Sequence, residues 1–254
     1  MRDSKPFFTI VTPTLNSEKY LVECIKSVES QSFKDWEHIF IDSYSTDKTM
    51  KILKEYKKRN PKRVFIYQYP KAGISDAFNK GIKHSNGKYL NFLGSDDLLE
   101  TGALQVVYDN MKDERYSWCY GNTKIIDSEG KVRKIKKFSH FNYFGLLFFY
   151  YLNHQSIFMN RLVFLREGFF NVQLKFAMDH EYLLRIGYKY KPKQITSILS
   201  NFRKTSSSVT LKLWKSQLNE KLNICLHYSP SRLYLFVFLS NRIVYLKKIL
   251  GLVY

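Results

Sequence analysis

The protein has 254 residues, of which 44% are hydrophobic and 17% aromatic, and its formal net charge is +19. This composition supports a large buried core and argues against a disordered chain outside the termini. The positive field attracts nucleic acid, anionic lipid and phosphorylated substrates alike. No run reaches the roughly 18 apolar residues of a membrane span, and no signal peptide is visible. A cytoplasmic protein with three reduced cysteines is therefore expected.

The first hundred residues alternate strand and helix signals, the pattern of a parallel sheet with crossover helices. Strands are predicted at 7–12, 37–42, 64–69 and 88–93, with Pro13 ending the first. Helices are predicted between them, starting after Asn16 or Ser17, after Thr46 or Asp47, and at Ser75. Such β-α-β connections are right-handed, so the carboxyl ends of these strands should meet at one edge of the sheet.

Acidic residues stand where two of these strands end. Asp42 closes the second strand, and Asp96 and Asp97 follow the fourth. Carboxylates at such an edge suit a divalent cation that also binds substrate phosphates. A plain turn or a helix N-cap is the alternative for the acidic pair.

The second half gives weaker signals. Residues 118–127 and 131–135, separated by the turn Ser128-Glu129-Gly130, predict a hairpin and hence a mixed sheet. The aromatic segment 138–152 fits two roles equally, ordinary core or a surface that faces lipid or an acceptor.

Several motifs occur in the order found in one enzyme family. They are Thr12-Pro13-Thr14-Leu15-Asn16, Ile41-Asp42, Gly73-Ile-Ser-Asp76-Ala-Phe-Asn79, Phe92-Leu-Gly-Ser-Asp96-Asp97, Asn153-His154-Gln155, Met178-Asp179-His-Glu181 and Asn201-Phe-Arg203. The chain resembles the family 2 glycosyltransferases of bacterial glycan biosynthesis. The resemblance implies an α/β protein with the GT-A fold, a Rossmann-like, mostly parallel central sheet with a mixed edge. We expect a catalytic domain at 1–210, with a nucleotide-binding half at 1–100 and an acceptor-binding half at 101–210, followed by a helical, aromatic extension at 211–254.

The resemblance also implies roles on the donor side. Contacts to the nucleotide sugar are expected from Thr12, Pro13, Thr14, Asn16, Asp42, Asp76, Asn79, Ser95, Asp96 and Arg203. Asp96 and Asp97 stand at the metal motif and would hold Mn²⁺ or Mg²⁺. The chain departs from the family pattern at Gly94, where an acid is usual, and at Ser43-Tyr44, where small residues are usual. Arg203 begins a basic stretch to Ser208 that is either a flexible loop over the diphosphate or a solvated turn.

On the acceptor side the resemblance implies that Asp179 is the catalytic base. The helix around it has Tyr182, Leu183 and Ile186 as a packing face. A carboxylate there can take the proton of the attacking hydroxyl. His154, Gln155 and Glu181 are predicted to face the acceptor.

These residues and the resemblance together predict a metal-dependent glycosyltransferase, and the resemblance implies that transfer inverts the configuration of the sugar. The predicted donor is a nucleoside-diphosphate sugar, with UDP the expected nucleotide, and the acceptor is a hydroxyl of a glycan or lipid-linked molecule. A sugar nucleotidyltransferase is an alternative, but the first strand lacks a glycine-rich basic loop. A nucleic-acid-binding protein is a second alternative, suggested by the positive charge. The identifiable loops of this chain end in acids, however, and acids repel the phosphates of nucleic acid unless a metal intervenes. Nucleic acid is therefore not an expected partner.

The C-terminal segment 231–254 mixes apolar and aromatic residues with arginine and lysine. Its polar residues do not gather on one side of a helical wheel, so it is not a simple amphipathic helix. Two roles are predicted for it. It either attaches the protein peripherally to the cytoplasmic face of a membrane, or it packs on the catalytic domain or another copy.

Overall fold

A computed structural model of the protein describes residues 5–70, 73–148, 152–204 and 214–249. The strands are β1 (Phe8–Thr14), β2 (Trp36–Asp42), β3 (Val64–Gln68), β4 (Tyr89–Phe92), β5 (Leu98–Leu99), β6 (Trp118–Ile126), β7 (Val132–Lys136), β8 (Ile157–Asn160) and β9 (Lys193–Arg203). The helices are α1 (Glu18–Glu29), α2 (Thr49–Arg59), α3 (Ile74–His84), α4 (Ala103–Met111), α5 (Tyr143–Phe148), α6 (Arg161–Glu167), α7 (Met178–Gly187), α8 (Trp214–Tyr228) and α9 (Tyr234–Ile249). A 3₁₀ turn, His154–Ser156, leads into β8.

The strands form one mixed sheet in the order β3-β2-β1-β4-β8-β6-β9-β5, and β7 pairs with β6. The first four strands are parallel, β8 is antiparallel to both β4 and β6, and β9 is parallel to β6. As a result, the carboxyl ends of β1, β2, β4, β6 and β9 share one edge with the amino end of β8. The predicted α/β class, the parallel first half and the β6–β7 hairpin are confirmed.

Both faces of the sheet are covered by helices, because alternate strand residues point to opposite sides. Phe8 and Phe158 pack on one side with α1, α2 and α4. Val11, Phe92 and Trp118 pack on the other with α3, α6, α7 and α8. The three cysteines are buried and free, as predicted.

One local prediction needs correction. β1 continues through Pro13 to Thr14, because β4 ends at Phe92 and leaves no ladder on that side in which a missing N–H would matter. Of the two predicted starts of α1, Ser17 is the N-cap position and Asn16 is not. The Asn16 side chain instead accepts a hydrogen bond from the Thr46 backbone N–H (2.9 Å), which ties the two loops at the sheet edge together.

Much of the aromatic segment belongs to the core. Phe138, Leu146, Leu147 and Leu152 are buried, while Phe144 is exposed. Residues 149–151 lie outside the described chain. Within the rest of this segment, ordinary packing therefore dominates over a surface role.

The C-terminal extension is helical and packs against α7. Ile224 and Cys225 of α8 and Val237 of α9 are buried in the core that α7 also enters. The predicted boundary at residue 210, residues 205–208 of the basic stretch, and residues 250–254 lie outside the described residues. Among the helices that are described, none combines the length and apolarity needed to cross a membrane.

We expect Gly87→Ala to destabilise the protein by about 1–3 kcal/mol, the usual cost of overpacking. A Cβ at Gly87 would lie 2.5 Å from the Thr9 backbone nitrogen and 2.6 Å from the Phe8 carbonyl carbon, and neither can move without disrupting β1. Asn86→Ala is the matched control, because Asn86 is the exposed neighbour and its backbone bond to Glu37 would remain. Urea denaturation measures both; equal stabilities of the two variants would contradict the prediction.

Candidate active site

The sheet edge described above brings most of the predicted site residues together. Asp42 ends β2, Asp96 and Asp97 follow β4, and the His154–Ser156 turn precedes β8. Arg203 ends β9 at the same edge. Since β8 enters the sheet beside β4, Gln155 can reach Asp97, and its Nε2 donates to Asp97 Oδ2 at 2.7 Å.

Asp97 is buried, with 3% of its surface exposed. Its other oxygen accepts the Arg203 backbone N–H at 2.9 Å. Burial, followed by the charge of neighbouring Asp96, raises the pKa of Asp97 to about 7. Burial also raises the pKa of Asp96, which is only partly buried and remains accessible. Two close carboxyl groups with raised pKa values are both costly to ionise, and a cation bound next to them would stabilise their charged forms.

The donor set fits a divalent cation that a substrate helps to hold. Within the described chain, no group of three or more His, Cys, Asp or Glu side chains could hold a metal by itself. Mg²⁺ and Mn²⁺ sites that bind nucleotides need only one or two carboxylates, because phosphates and water complete the shell. Asp96 offers accessible oxygens for this purpose, and Asp97 supplies charge behind it.

Gly94 explains how the chain accommodates its departure from the family motif. A Cβ placed there would lie 2.7 Å from Asp97 Oδ2 and 3.0 Å from Asp96 Oδ1. Both carboxylates thus fold back over this glycine and occupy the space of the missing side chain. Residue 94 therefore carries no acid itself, but the carboxylates of Asp96 and Asp97 both lie close to it.

Asp179 and His154 form the second group of the site. His154 Nδ1 lies 3.4 Å from Asp179 Oδ2. Burial works to lower the pKa of His154, but the hydrogen bond and charge of Asp179, together with Asp97 and Asp96, raise it overall. A cavity of about 30 Å³, lined largely by apolar side chains including Phe92, Phe164 and Tyr182, lies against the pair. This apolar surrounding strengthens the interaction between the two groups.

Most of the predicted nucleotide contacts are used by the protein itself. Thr12 Oγ1 pairs with His38 Nε2 (3.0 Å), and Thr14 Oγ1 donates to Asp42 Oδ1 (2.9 Å). Asp42 is fully buried and also accepts from Ser45 and from Gln68 Nε2. These bonds hold the loop after β2, including Tyr44, whose φ is +55°. Pro13, Asn16, Ser95 and Asp96 are the less buried members that line the edge.

Three predicted residues have other partners in the structure. Asn79 exchanges two hydrogen bonds of 2.9 Å with the Phe170 backbone. Asp76 forms an ion pair with Lys80 at 2.6 Å. Glu181 binds Arg185 through both oxygens and accepts from the Tyr228 hydroxyl at 2.6 Å, so its carboxylate is a structural link to α8.

Arg203 differs from both predictions made for it. It lies in β9, is completely buried, and is neither a loop residue nor solvated. Its guanidinium donates to the Asp96 carbonyl oxygen (2.9 Å), to the carbonyl oxygens of Asp127 and Ser128, and to Glu23 (2.6 Å). Arg203 thereby ties the Asp96–Asp97 turn to the β6–β7 hairpin.

Sequence reasoning missed the residues that support the site from a distance. Ser45 and Gln68 bind Asp42, Glu23 binds Arg203, and Asn91 holds the carbonyls of Gln155 and Ile157 through its Nδ2 at 2.9 Å. Asn91 did carry a signal, because it is a polar residue inside an apolar strand. The others occupy loop, strand-end or helix-surface positions where polar residues are ordinary, and they carried none.

We expect Mn²⁺ with UDP to raise the melting temperature more at pH 8 than at pH 6. With a folded-state pKa of about 7, Asp97 is mostly protonated at pH 6, and the proton competes with the cation. The same carboxyl titrates near 4 when unfolded, so without metal its ionisation costs stability as pH rises through 7, and a bound cation offsets that loss. Asp96→Asn should remove the metal-dependent part of the shift. Equal metal-dependent shifts at both pH values would contradict the assignment.

Comparison with known proteins agrees with this geometry. Residues 9–183 match the model of "Glycosyl transferase family 2". Chondroitin synthase from Escherichia coli is 31% identical over 198 residues, which are 77% of this chain and 29% of that protein. The GalNAc(5)-diNAcBac-PP-undecaprenol beta-1,3-glucosyltransferase of Campylobacter jejuni is 32% identical over 130 residues, 51% of this chain and 41% of that protein. The chain thus spans less than half the length of either relative.

Among solved structures, S. aureus TarS 1-349 in complex with UDP-GlcNAc has a TM-score of 0.71 and 18% identity, covering 87% of this chain and 66% of that one. At this identity the likeness concerns the fold, and it confirms the predicted GT-A architecture. The family match extends from β1 into α7 and includes both acidic groups of the site. The chain belongs to glycosyl transferase family 2.

Proposed function

We propose that the protein transfers a sugar, with inversion, from a nucleoside-diphosphate sugar to a hydroxyl of a glycan or lipid-linked acceptor. The observation that carries the proposal is the meeting of two groups at one sheet edge, the Asp96–Asp97 pair and the Asp179–His154 pair. One group suits a diphosphate with a cation, and the other suits a hydroxyl that must lose a proton.

The donor would lie along the edge formed by the loops after β1 and β2 and the turn after β4. UDP is the proposed nucleotide, supported by the TarS structure that contains UDP-GlcNAc. Asn16, Pro13, Ser95 and Asp96 are the accessible residues for this role. Thr14 and Asp42 would act mainly by holding the loops in place, because their polar atoms already have protein partners.

Asp96, backed by Asp97, would hold Mn²⁺ or Mg²⁺ together with the diphosphate. Such a cation neutralises negative charge that develops on the leaving phosphates. Arg203 keeps the turn in register through the Asp96 carbonyl and the Asp97 carboxylate. The chain thus fixes the acids by backbone contacts and leaves Asp96 free for the ligand.

Asp179 would accept the proton of the acceptor hydroxyl while the hydroxyl oxygen attacks the anomeric carbon. The bond from that carbon to the diphosphate breaks on the opposite side, so the configuration inverts. His154 holds the Asp179 carboxylate, and it also interacts with the charges of Asp97 and Asp96. The position of Asp179 near the start of α7, whose face is packed by Tyr182, Leu183 and Ile186, gives the base a rigid mount.

A lipid-linked acceptor is one form of this proposal. The Campylobacter jejuni relative carries an undecaprenol-linked acceptor in its name. On α9, Leu235, Phe236, Leu239, Ile243 and Leu246 are all about half exposed or more. Arg242 lies 5.1 Å from the Phe238 ring on the same helix. An apolar face beside arginine, in a chain of charge +19, suits an anionic membrane surface.

We expect Asp179→Asn to lower turnover by a factor on the order of 10² or more, because the general base is lost. Donor affinity should remain nearly unchanged, since Asp179 faces the acceptor. Turnover with UDP-sugars and UDP binding by titration calorimetry measure the two effects. Asp109→Asn, an exposed acid on α4, is the control and should behave as wild type. Loss of donor affinity with normal turnover would exclude Asp179 as the base.

Membrane attachment is tested with matched double substitutions. Leu235→Ser with Leu239→Ser should abolish sedimentation with phosphatidylglycerol vesicles, because it removes two side chains that are 64% and 49% exposed on α9. Leu162→Ser with Leu165→Ser on α6 removes a pair of similar exposure, 51% and 49%, and should leave binding intact. Equal loss in both variants, or no binding by wild type, would exclude this face as the attachment site. A stable dimer without vesicle binding would assign it to a second copy.

A further inference from the structure

The C-terminal extension contacts the segment that leads into α7. Glu220 of α8 accepts three backbone hydrogen bonds from this segment. Its Oε2 accepts from Lys175 N–H at 2.9 Å, and its Oε1 accepts from Phe176 and Ala177 N–H at 2.8 Å each. One carboxylate thus binds three successive amides that lie 43 to 45 residues earlier in the chain.

These amides belong to the residues immediately before α7. Ala177 is the N-cap of the helix, and Lys175 and Phe176 precede it. A Ser, Thr, Asp or Asn at the N-cap would bind amides of the first turn, but Ala177 has no side-chain acceptor. Glu220 instead holds the N-cap and the two residues before it from α8, and its negative charge is favourable next to a helix N-terminus.

The turn that follows residues 175–177 carries the proposed base. Asp179 lies two residues after Ala177, and its carboxylate reaches His154 at 3.4 Å. A shift in the path of residues 175–177 moves the start of α7 and changes the direction of Asp179. Displacements of about 1 Å in a catalytic group can cost on the order of 10²-fold in rate.

We propose that Glu220 is a positioning residue for Asp179, so that the C-terminal extension is a working part of the active site. The inference rests on the proposed role of Asp179 as the base. Glu220 acts through the backbone of residues 175–177 and contacts no substrate. Activity consequently depends on the contacts between Glu220 of α8 and residues 175–177.

The same two helices offer a matched control. Tyr228, also on α8, donates to Glu181 Oε1 at 2.6 Å, and Glu181 is bound to Arg185. This second contact joins α8 to the side of α7 without touching residues 175–177. Tyr228→Phe therefore weakens the docking of α8 but keeps the contacts of Glu220 with residues 175–177.

The test compares Glu220→Ala, Glu220→Gln and Tyr228→Phe. Glu220→Ala should lower kcat by about tenfold or more with the KM for the nucleotide sugar within about twofold, because the donor side is untouched. The kcat of Glu220→Gln should lie between those of Glu220→Ala and wild type, since the glutamine carbonyl oxygen can still accept hydrogen bonds from the Phe176 and Ala177 N–H groups. Tyr228→Phe should keep kcat within about twofold of wild type.

Amide hydrogen exchange gives a readout without substrate. Exchange at residues 175–177 should accelerate in Glu220→Ala and remain as in wild type in Tyr228→Phe. If Glu220→Ala does not fold, Glu220→Gln decides, because it keeps two of the three bonds. Unchanged kcat in the Glu220 variant used, a rise in KM in place of a fall in kcat, or an equal loss in Tyr228→Phe would each overturn the proposal.

Asp179→Asn separates this inference from the function on which it rests. If Asp179→Asn is inactive while Glu220→Ala is fully active, only the role of Glu220 is wrong. If Asp179→Asn retains wild-type turnover, the base assignment fails, and the role of Glu220 falls with it.

Discussion

Two adjacent carboxylates at one sheet edge, with Asp97 buried and Asp96 partly buried, are the constraint on which the rest of the site depends. Asp96 and Asp97 repel one another, and burial makes ionisation of both costly. The protein limits that cost with the Arg203 backbone N–H, the Gln155 amide and the nearby Arg203 guanidinium. In the proposed function, the remaining excess of negative potential would attract a divalent cation and, through it, a diphosphate.

The mixed order of the sheet makes this arrangement possible. β8 enters beside β4 in the antiparallel direction, so the turn before β8 reaches the same edge as the residues after β4. His154 and Gln155 thereby stand next to acids that precede them by nearly sixty residues. Gln155 bonds Asp97, and His154 bonds Asp179. A purely parallel sheet would have placed the start of β8 at the opposite edge.

The amino-acid sequence predicted the first four strands and three helices closely, because their apolar periodicity is local. It also identified the acids and His154 through their order in the family motifs. It did not predict the β6–β8–β4 neighbourhood, which depends on pairing between distant segments such as Phe158 with Asn91 and Cys119. Arg203 was misplaced for the same reason. A basic residue just before a run of serines suggests a loop, and only its partners Glu23, Asp96 and Asp127 require it to be buried in a strand.

The structure explains why the polar residues of the C-terminal segment are scattered around its helix. α9 uses two different apolar faces, so its polar residues cannot collect on one side. Val237 packs into the core shared with α7 and α8, and Asn241 on the same side donates to the Val237 carbonyl at 2.9 Å. Leu239, Ile243 and Leu246 face outward on another side. A helix that serves only as a core element would bury these three, and a helix that only lies on a surface would not bury Val237. The pattern fits a helix that packs by one face into the core with α7 and α8 and leaves its other face available to a partner. A partner bound to that exposed face would lie next to α7 and α8, the two helices that position Asp179 in the proposed site.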